Sequence, residues 1–196
     1  MKTEIEAKFA KIDSDEVREH LKSLGAKLVS AERLMRRKNF DYPDRRLYQK
    51  NGWIRLRDEG DKVTLTYKQI NDSKDLHGTQ EISVQVGNFD DTDKLLSVLG
   101  FEAWAHQENK RESWTLEDVE IEIDTWPWIP PYLEIEGPTE ESVKTTAGKL
   151  GLEWKDARHG KIYLEYYDVT DEEIDGIKEI VFSEVPKWME DKRIKN

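Results

Sequence analysis

Residues 4–9 alternate charged with apolar side chains, and Glu4, Glu6 and Lys8 occupy the charged positions. Residues two apart in a β-strand project from the same face, so these three side chains would line one face together. Carboxylate oxygens are the hard ligands that Mg²⁺ and Mn²⁺ prefer, and an ammonium group can bind phosphate oxygens. One short strand could therefore bring metal ligands and an anion contact to the same place.

Five further segments show the same alternation, which predicts strands with one apolar and one polar face. They are residues 53–57, 63–68, 81–86, 119–124 and 132–136. The polar faces carry paired charges of one sign, such as Arg55 with Arg57 and Glu134 with Glu136. An antiparallel sheet with one face in water is the ordinary explanation of such alternation. Paired like charges are costly unless opposite charges lie nearby, which favours polar faces that confront each other.

A sheet that closes with its polar faces inward would hold acidic and basic strands on opposite sides of a water-filled tunnel. The guanidinium group of arginine meets phosphate oxygens in a bidentate manner, and lysine adds further positive charge. The cations that could hold several phosphoryl groups are Lys8, Arg55, Arg57, Lys68 and Arg111. A divalent cation on the carboxylates would bridge to the phosphate oxygens and neutralise their charge. A closed sheet would therefore suit a polyphosphate.

The rest of the chain supplies further strands and the helices that cover the sheet. Less regular strands are predicted over residues 26–42 and 101–114, which brings the number of strands to eight. Helices are predicted over residues 14–24, 91–99 and 139–150, over parts of residues 157–167, and from residue 171 onward. Many antiparallel strands with few helices favour the α+β class, and a closed barrel leaves no exposed strand edge. We expect one domain over residues 1–196, with residues 171–196 as a helical C-terminal extension.

Composition narrows the possible partners and the cellular environment. The formal net charge of −11 disfavours binding to nucleic-acid backbones and to anionic lipid surfaces. The chain has no cysteine, which excludes disulfides, thiolate metal sites and cysteine nucleophiles. Met1 leads into a charged strand rather than an apolar leader, and no apolar run reaches membrane-spanning length. We therefore expect a soluble, cytoplasmic protein that binds neither nucleic acid nor membranes.

Several short motifs follow one another along the chain. The first is Glu-x-Glu-x-Lys at residues 4–8. The others are Asp41-Tyr42, Gly52-Trp53-Ile54-Arg55-Leu56-Arg57, Leu65-Thr66-Tyr67-Lys68, Glu81, Lys110-Arg111, Asp124 and Leu133-Glu134-Ile135-Glu136. In this order, over roughly residues 1–167, they resemble the CYTH family, also called triphosphate tunnel metalloenzymes. That family includes class IV adenylate cyclases, thiamine triphosphatases and inorganic triphosphatases.

The resemblance implies a closed eight-stranded antiparallel β-barrel, or tunnel, with helices packed outside and a triphosphate bound inside with Mg²⁺ or Mn²⁺. The residues that it implies on the metal side are Glu4, Glu6, Asp124, Glu134 and Glu136. The residues that it implies for substrate binding are Lys8, Arg55, Arg57, Lys68, Lys110, Arg111 and Lys161. The implied catalytic set is Glu4, Glu6, Lys8, Arg55, Arg57, Lys68 and Glu136. Glu81 matches a further acidic position of the tunnel.

Some features depart from the family pattern or leave alternatives open. Asn109 stands near a position where a basic residue is expected, and the Pro-rich residues 126–131 replace a glycine-containing turn. Arg36, Arg37 and Lys38 could reach the ligand, but periodicity does not define their register, and we interpret this run of charges as solvated. Trp126 and Trp128 could stack on a ring of the substrate, but hydrophobic packing in a Pro-rich loop is the preferred interpretation.

Hydrolysis of a bound triphosphate is the leading functional hypothesis, because metal and cations together would align the phosphates for in-line attack by water. One alternative is a class IV adenylate cyclase, which converts ATP to cyclic AMP and pyrophosphate. Another is a noncatalytic polyphosphate-binding module, since a fold does not define a function. The expected partner is tripolyphosphate, thiamine triphosphate or a nucleoside triphosphate, and the expected assembly is a monomer or a homodimer.

Overall fold

The computed structural model describes residues 2–70 and 78–194, which form ten strands and five α-helices. The strands are β1 Lys2–Glu4, β2 Glu6–Phe9, β3 Lys27–Asp41, β4 Gly52–Asp58, β5 Val63–Ile70, β6 Thr79–Val86, β7 Glu102–Leu116, β8 Val119–Thr125, β9 Tyr132–Glu136 and β10 Glu179–Ile180. The helices are α1 Ser14–Ser23, α2 Phe89–Val98, α3 Glu140–Lys149, α4 Asp171–Asp175 and α5 Lys187–Glu190. Single 3₁₀ turns lie at Tyr48–Lys50, Trp154–Asp156 and Ile162–Glu165.

All the strands belong to one sheet, in the order β1-β6-β5-β4-β3-β7-β8-β9-β2, with β10 beside β7. Every pair along this order is antiparallel, whereas β10 is parallel to β7. The predicted α+β class is therefore confirmed, as are all eight predicted strands. The count rises to ten because the N-terminal strand is interrupted at Ile5 and because β10 was not foreseen. The halves of the interrupted strand, β1 and β2, stand at opposite ends of the strand order.

Most apolar strand faces lie under helices. Ile121, Leu133 and Ile135 are fully buried and belong to a core with side chains of α1 and α3. Each aliphatic side chain buried in this way contributes about 1.5–3 kcal/mol, which keeps the apolar face of β8 and β9 against the helices. The predicted covering of the sheet is incomplete, because Ile82 and Val84 on β6 are 58% and 54% exposed.

The turn after β3 is fixed by a buried carboxylate. Asp41 is 1% exposed and accepts hydrogen bonds from the backbone N–H groups of Tyr42, Leu47 and Tyr48 at 2.6, 3.1 and 2.9 Å. Asn51 takes the left-handed conformation, with φ of 56°, just before β4 begins. This arrangement returns the chain antiparallel to β3, so that Arg55 of β4 lies opposite Asn39 of β3.

The C-terminal segment differs from the predicted helical extension. The helical spacing of Ile174, Ile177 and Ile180 breaks because α4 ends before Gly176 and Ile180 enters β10. β10 pairs with β7 at His106 and Gln107, beyond the last β8 pair at Lys110. Of the helix predicted over parts of residues 157–167, the structure has only the 3₁₀ turn Ile162–Glu165.

Side chains of this segment form a second core with the Pro-rich loop before β9. Its buried members are Ile129, Tyr132, Ile162, Tyr163, Tyr167, Val169, Ile174, Ile180 and Met189. Trp126 and Trp128 pack against it, as the sequence interpretation favoured. None of the helices in the described part of the chain has the length and apolar character needed to cross a membrane.

Candidate functional site

Three carboxylates from both ends of the strand order meet at one place. Glu4 comes from β1, Glu6 from β2 and Glu136 from β9, and one oxygen of each lies within 4.8 Å of the others. Pairing of Glu6 with Glu136 across β2 and β9 brings two of them together, and only Ile5 separates Glu4 from Glu6. A set of three carboxylate oxygens is suited to a hard divalent cation. These residues could therefore hold a metal ion.

Glu4 is the most buried member of this group, with 6% of its surface exposed. Lys68 donates to both of its carboxylate oxygens, at 2.8 and 2.7 Å. Burial nevertheless raises the pKa of Glu4 to about 7, and the neighbouring charges of Glu6 and Glu81 add to the shift. Within this crowded acidic environment, Lys68 alone does not compensate the charge of Glu4. A cation bound beside Glu4 would compensate this charge.

Lys8 contacts both Glu6, one of the three clustered carboxylates, and Glu134, which precedes Glu136 on the same face of β9. Its Nζ donates to Glu6 at 2.5 Å and lies 3.5 Å from Glu134. Burial lowers the pKa of Lys8, but the charges of Glu6 and Glu134 outweigh burial, so that the pKa is raised overall. Lys8 therefore stays protonated and positively charged next to the three clustered carboxylates.

Arg111 and Asp124 form a bidentate ion pair between β7 and β8. Nε of Arg111 donates to Oδ1 of Asp124 at 2.7 Å and Nη2 donates to Oδ2, while the same Nη2 donates to Glu134 at 3.0 Å. Asp124 is fully buried and also accepts from Asn109 at 3.2 Å and from Tyr132 at 3.3 Å. Protein donors thus occupy both oxygens of Asp124, which stands apart from the three clustered carboxylates.

Glu134 is surrounded by cations. Burial favours its neutral form, but Arg111, Lys8 and Lys68 outweigh burial and lower the pKa of Glu134 to about 2. Lys68 lies on β5 and Glu134 on β9, so their interaction joins strands that are not neighbours in the sheet order. Of the five residues predicted on the metal side, the structure groups Glu4, Glu6 and Glu136 and places Asp124 and Glu134 among arginine and lysine side chains.

Arg55 and Arg57 on β4 differ in their partners. Arg57 donates to Glu59 at 2.8 Å, and Glu59 also accepts from Thr64 at 3.0 Å. Arg55 has its nearest carboxylate, Glu81, at 4.0 Å, and its buried Nε has no hydrogen-bond partner. Burial lowers the pKa of Arg55 strongly, and the positive charges of Arg57 and Arg37 add to this effect. Arg55 is therefore a largely buried cation, and among residues 2–70 and 78–194 no carboxylate oxygen lies closer to it than 4.0 Å.

Two of the predicted substrate-binding residues lie away from this cluster. Lys110 projects from the opposite face of β7 to Arg111, with its Nζ 3.9 Å from Glu32 and 5.6 Å from the centre of the Phe182 ring. Lys161 pairs with Asp175 at 2.8 Å and donates to the backbone carbonyl of Asp171. Strand alternation explains the position of Lys110, and the unforeseen course of the C-terminal segment explains that of Lys161.

Sequence interpretation did not assign to the site three largely buried polar residues that lie among its charged side chains. Glu59 is 4% exposed and accepts from Arg57. Glu122 has a buried Oε2 without a partner, and burial raises its pKa to about 7. Arg37, which we interpreted as solvated, is 7% exposed and donates through Nη2 to Oδ1 of Asn109. Period-two continuation from the buried Met35 to Arg37 and Asn39 was the signal that could have revealed it.

The sequence was compared with models of known protein families. Residues 2–161 match the model of the CYTH domain. The chain belongs to the CYTH family. The match contains the three clustered carboxylates and the cations beside them, whereas residues 162–194, which supply most of the second core, lie beyond it.

Other CYTH-like proteins share sequence or fold with this chain. A protein of Methanocaldococcus jannaschii, named as a proposed adenylate cyclase, is 29% identical over 133 residues, which are 68% of this chain and 75% of that protein. A solved structure from Pyrococcus horikoshii is 25% identical, with a TM-score of 0.67 over 83% of this chain and 98% of that chain. A Hippeastrum protein is 14% identical, with a TM-score of 0.59 over 88% of this chain and 94% of that chain. It is named as a proposed adenylyl cyclase and described as having a dominant triphosphatase activity.

Proposed function

We propose that this CYTH protein is a metal-dependent triphosphatase that hydrolyses an inorganic or organic triphosphate inside a closed β-tunnel. The observation that carries the proposal is Arg55, a buried guanidinium with its nearest carboxylate at 4.0 Å and with Nε unpartnered. A buried cation that lacks a counter-charge is costly, and a phosphate oxygen would satisfy it. The clustered carboxylates of Glu4, Glu6 and Glu136 supply the complementary half of such a site.

Closure of the sheet into an eight-stranded barrel is part of this proposal. β1 pairs with β6 and β2 pairs with β9, although only Ile5 separates β1 from β2. The two ends of the strand order are thus carried by one nearly continuous strand. Counted as one strand, β1 and β2 make eight with β3 to β9, and β10 lies outside the ring. The influence of Lys68 on the pKa of Glu134 also supports polar faces that confront each other across a lumen.

Glu4, Glu6 and Glu136 would hold the divalent cation, which we propose to be Mg²⁺ or Mn²⁺. Their oxygens fit this role because they are hard donors that lie within 4.8 Å of one another. When bound, such an ion would neutralise charge on the phosphate oxygens and leave the phosphorus atom more open to attack by water. Lys8 and Lys68, which contact Glu6 and Glu4, would hold the carboxylates in place and add positive charge beside the substrate.

Arg55, Arg57 and Arg111 would bind the phosphate oxygens and align the chain of phosphoryl groups. In the hydrolytic step the oxygen of a water forms a bond to the terminal phosphorus, the bridging P–O bond breaks, and the shortened phosphate leaves. The proton of the water passes to a carboxylate. Glu122 suits this role because its pKa is raised to about 7 and its buried Oε2 accepts no hydrogen bond from the described residues. Electrostatic positioning supplies most of the expected acceleration.

Adenylate cyclisation is the alternative that the name of the Methanocaldococcus jannaschii relative favours. The same cations would bind ATP, but the ribose 3′-hydroxyl would attack the α-phosphorus and pyrophosphate would leave. The triphosphatase activity described for the Hippeastrum protein supports hydrolysis instead.

A product assay with tripolyphosphate, thiamine triphosphate and ATP, each with Mg²⁺ or Mn²⁺, tests the proposal. We expect orthophosphate, and we expect Arg55→Gln to lower kcat/KM by about 10²–10³. Arg36→Gln is the matched control, because Arg36 pairs with Asp58 and is exposed on the other face of the sheet. Formation of cyclic AMP and pyrophosphate from ATP would show that the reaction is cyclisation and not hydrolysis. Tight binding without turnover under either metal would indicate a noncatalytic binding module.

A further inference from the structure

We propose that Arg37 is an additional substrate-binding residue and that it receives the terminal phosphoryl group at a closed end of the binding channel. This inference rests on the proposed function, because it concerns the same polyphosphate site. It goes further by assigning a residue outside the family motifs and by defining which end of a substrate can enter first.

The position of Arg37 is set by three neighbouring strands. On β3 it lies opposite Arg57 of β4 and opposite Gln107 of β7. Its Nη2 donates to Oδ1 of Asn109, and its Cζ lies 4.6 Å from the centre of the Trp126 ring. Nε is buried and has no hydrogen-bond partner. The guanidinium is thus held in place on one face and one edge, while a donor remains for a ligand.

Charge around Arg37 is unbalanced. Within residues 2–70 and 78–194, no carboxylate oxygen lies within 4.0 Å of its nitrogens. Asp124, the carboxylate whose charge acts on Arg37, is already engaged by Arg111 and Asn109. Burial lowers the pKa of Arg37 to about 9, and the positive charges of Arg57 and Arg111 add to the effect. A phosphoryl group carries several oxygens and two negative charges at most, so it could balance such a set of guanidinium groups.

Arg37 also accounts for the neutral residue at position 109. The family resemblance led us to expect a basic side chain near Asn109, on β7. Arg37 reaches the side chain of Asn109 from the adjacent strand, and the amide of Asn109 bridges Arg37 to Asp124. A positive charge is therefore present beside position 109, but β3 supplies it. Asn109 orients this charge.

The side of Arg37 covered by Trp126 is filled with protein. Trp126 stands edge-on to Tyr163, with ring centres 6.4 Å apart, and Tyr163 belongs to the second core. The hydroxyl of Tyr163 donates to the carbonyl of Pro127 at 2.9 Å, which fixes this wall to the Pro-rich loop. A substituent on the phosphoryl group at Arg37 would have to displace these rings. The group bound there must therefore be a terminal one, and any organic part of the substrate lies at the other end.

Calorimetric titration of the metal-free full chain with tripolyphosphate tests the role of Arg37 separately from catalysis. We expect Arg37→Gln to weaken binding by about tenfold or more, because a charge-assisted contact is lost. The unfolding temperature without ligand should not fall, because the variant removes a buried charge that lacks a counter-ion. Arg36→Gln, on the same strand but the outer face, should bind as the wild type does. Unchanged binding by Arg37→Gln would overturn the proposal, and so would weaker binding with a lower unfolding temperature or a failure to fold, since these indicate a structural role.

The closed end is tested with diadenosine triphosphate, in which both terminal phosphoryl groups carry a substituent. We expect the wild type to bind it about tenfold or more weakly than ATP, which offers a free terminal group. Equal affinity for the two nucleotides would overturn the assignment of a closed end. If tripolyphosphate binds with the Arg37 dependence stated above but no triphosphate is hydrolysed, the proposed catalytic function fails while the role of Arg37 stands.

Discussion

Glu122 should contribute to a pH dependence of the unfolding free energy of the metal-free protein near neutrality, and Glu122→Gln should remove that contribution while the one from Glu4 remains. The carboxylate of Glu122 lies 4.0 Å from Nε of Arg111 and is mostly buried, and burial raises its pKa from 4.5 to about 7. Because this folded-state pKa is above the unfolded value, the folded protein binds a proton that the unfolded chain releases. The stabilising contribution is therefore complete below the unfolded pKa and is lost as pH rises through 7.

The expected size follows from linkage. A group that titrates at about 7 in the folded state and at 4.5 in the unfolded state releases nearly one proton between about pH 6 and pH 8. The corresponding loss of unfolding free energy is on the order of 1 kcal/mol. Urea unfolding in EDTA at several pH values in this window measures it. The wild type should lose about 1 kcal/mol more than Glu122→Gln across the window.

Glu120→Gln provides the matched control, because Glu120 lies on the same strand and the same face but is exposed. Its unfolding free energy should follow that of the wild type at every pH. Parallel curves for the wild type and Glu122→Gln would refute the reasoning, since they would show that Glu122 does not change protonation in this range. A Glu122 that is charged throughout would have a lower pKa and would therefore be a weaker proton acceptor in hydrolysis.

Two further predictions concern the metal group and the core. Protons should compete with Mn²⁺ for Glu4, whose pKa is raised to about 7 by burial, so apparent Mn²⁺ affinity should rise about tenfold from about pH 6 to pH 8. Calorimetry of the wild type and Glu4→Gln checks this, and an equal pH dependence in both would contradict it. Leu133→Ala should lower the unfolding free energy by about 2–5 kcal/mol, because Leu133 is fully buried. In the same urea experiment Val98→Ala, at a position 84% exposed, should change it by less than about 0.5 kcal/mol.

Strand positions were predictable from the sequence because most strands have one apolar face, which in β8 and β9 packs against helices, and one charged face. This constraint gives each strand an apolar residue at every second position, such as Ile121 and Ile123 on β8 and Leu133 on β9. The register in which neighbouring strands pair leaves no comparable pattern in the sequence. That Arg111 faces Asp124 depends on the pairing of β7 with β8, so the sequence alone could not distinguish a metal ligand from an ion-pair partner.

The C-terminal segment shows a second limit of sequence interpretation. Ile174, Ile177 and Ile180 have helical spacing, but the same three positions also suit a short helix followed by an edge strand. The choice depends on β7 having a free edge beyond the end of β8, which is a tertiary property. One domain over the whole chain stays a prediction, as do a cytoplasmic location and the choice between monomer and homodimer.

The interruption of the N-terminal strand at Ile5 bears on the order in which the molecule folds. Glu6 pairs with Glu136 across most of the chain, so closing this contact demands a long loop and is entropically expensive. The three clustered carboxylates can come together only after both ends of the sheet have formed. A metal ion bound to them would therefore slow unfolding rather than hasten folding. During synthesis, the three clustered carboxylates could come together only after residue 136 had left the ribosome.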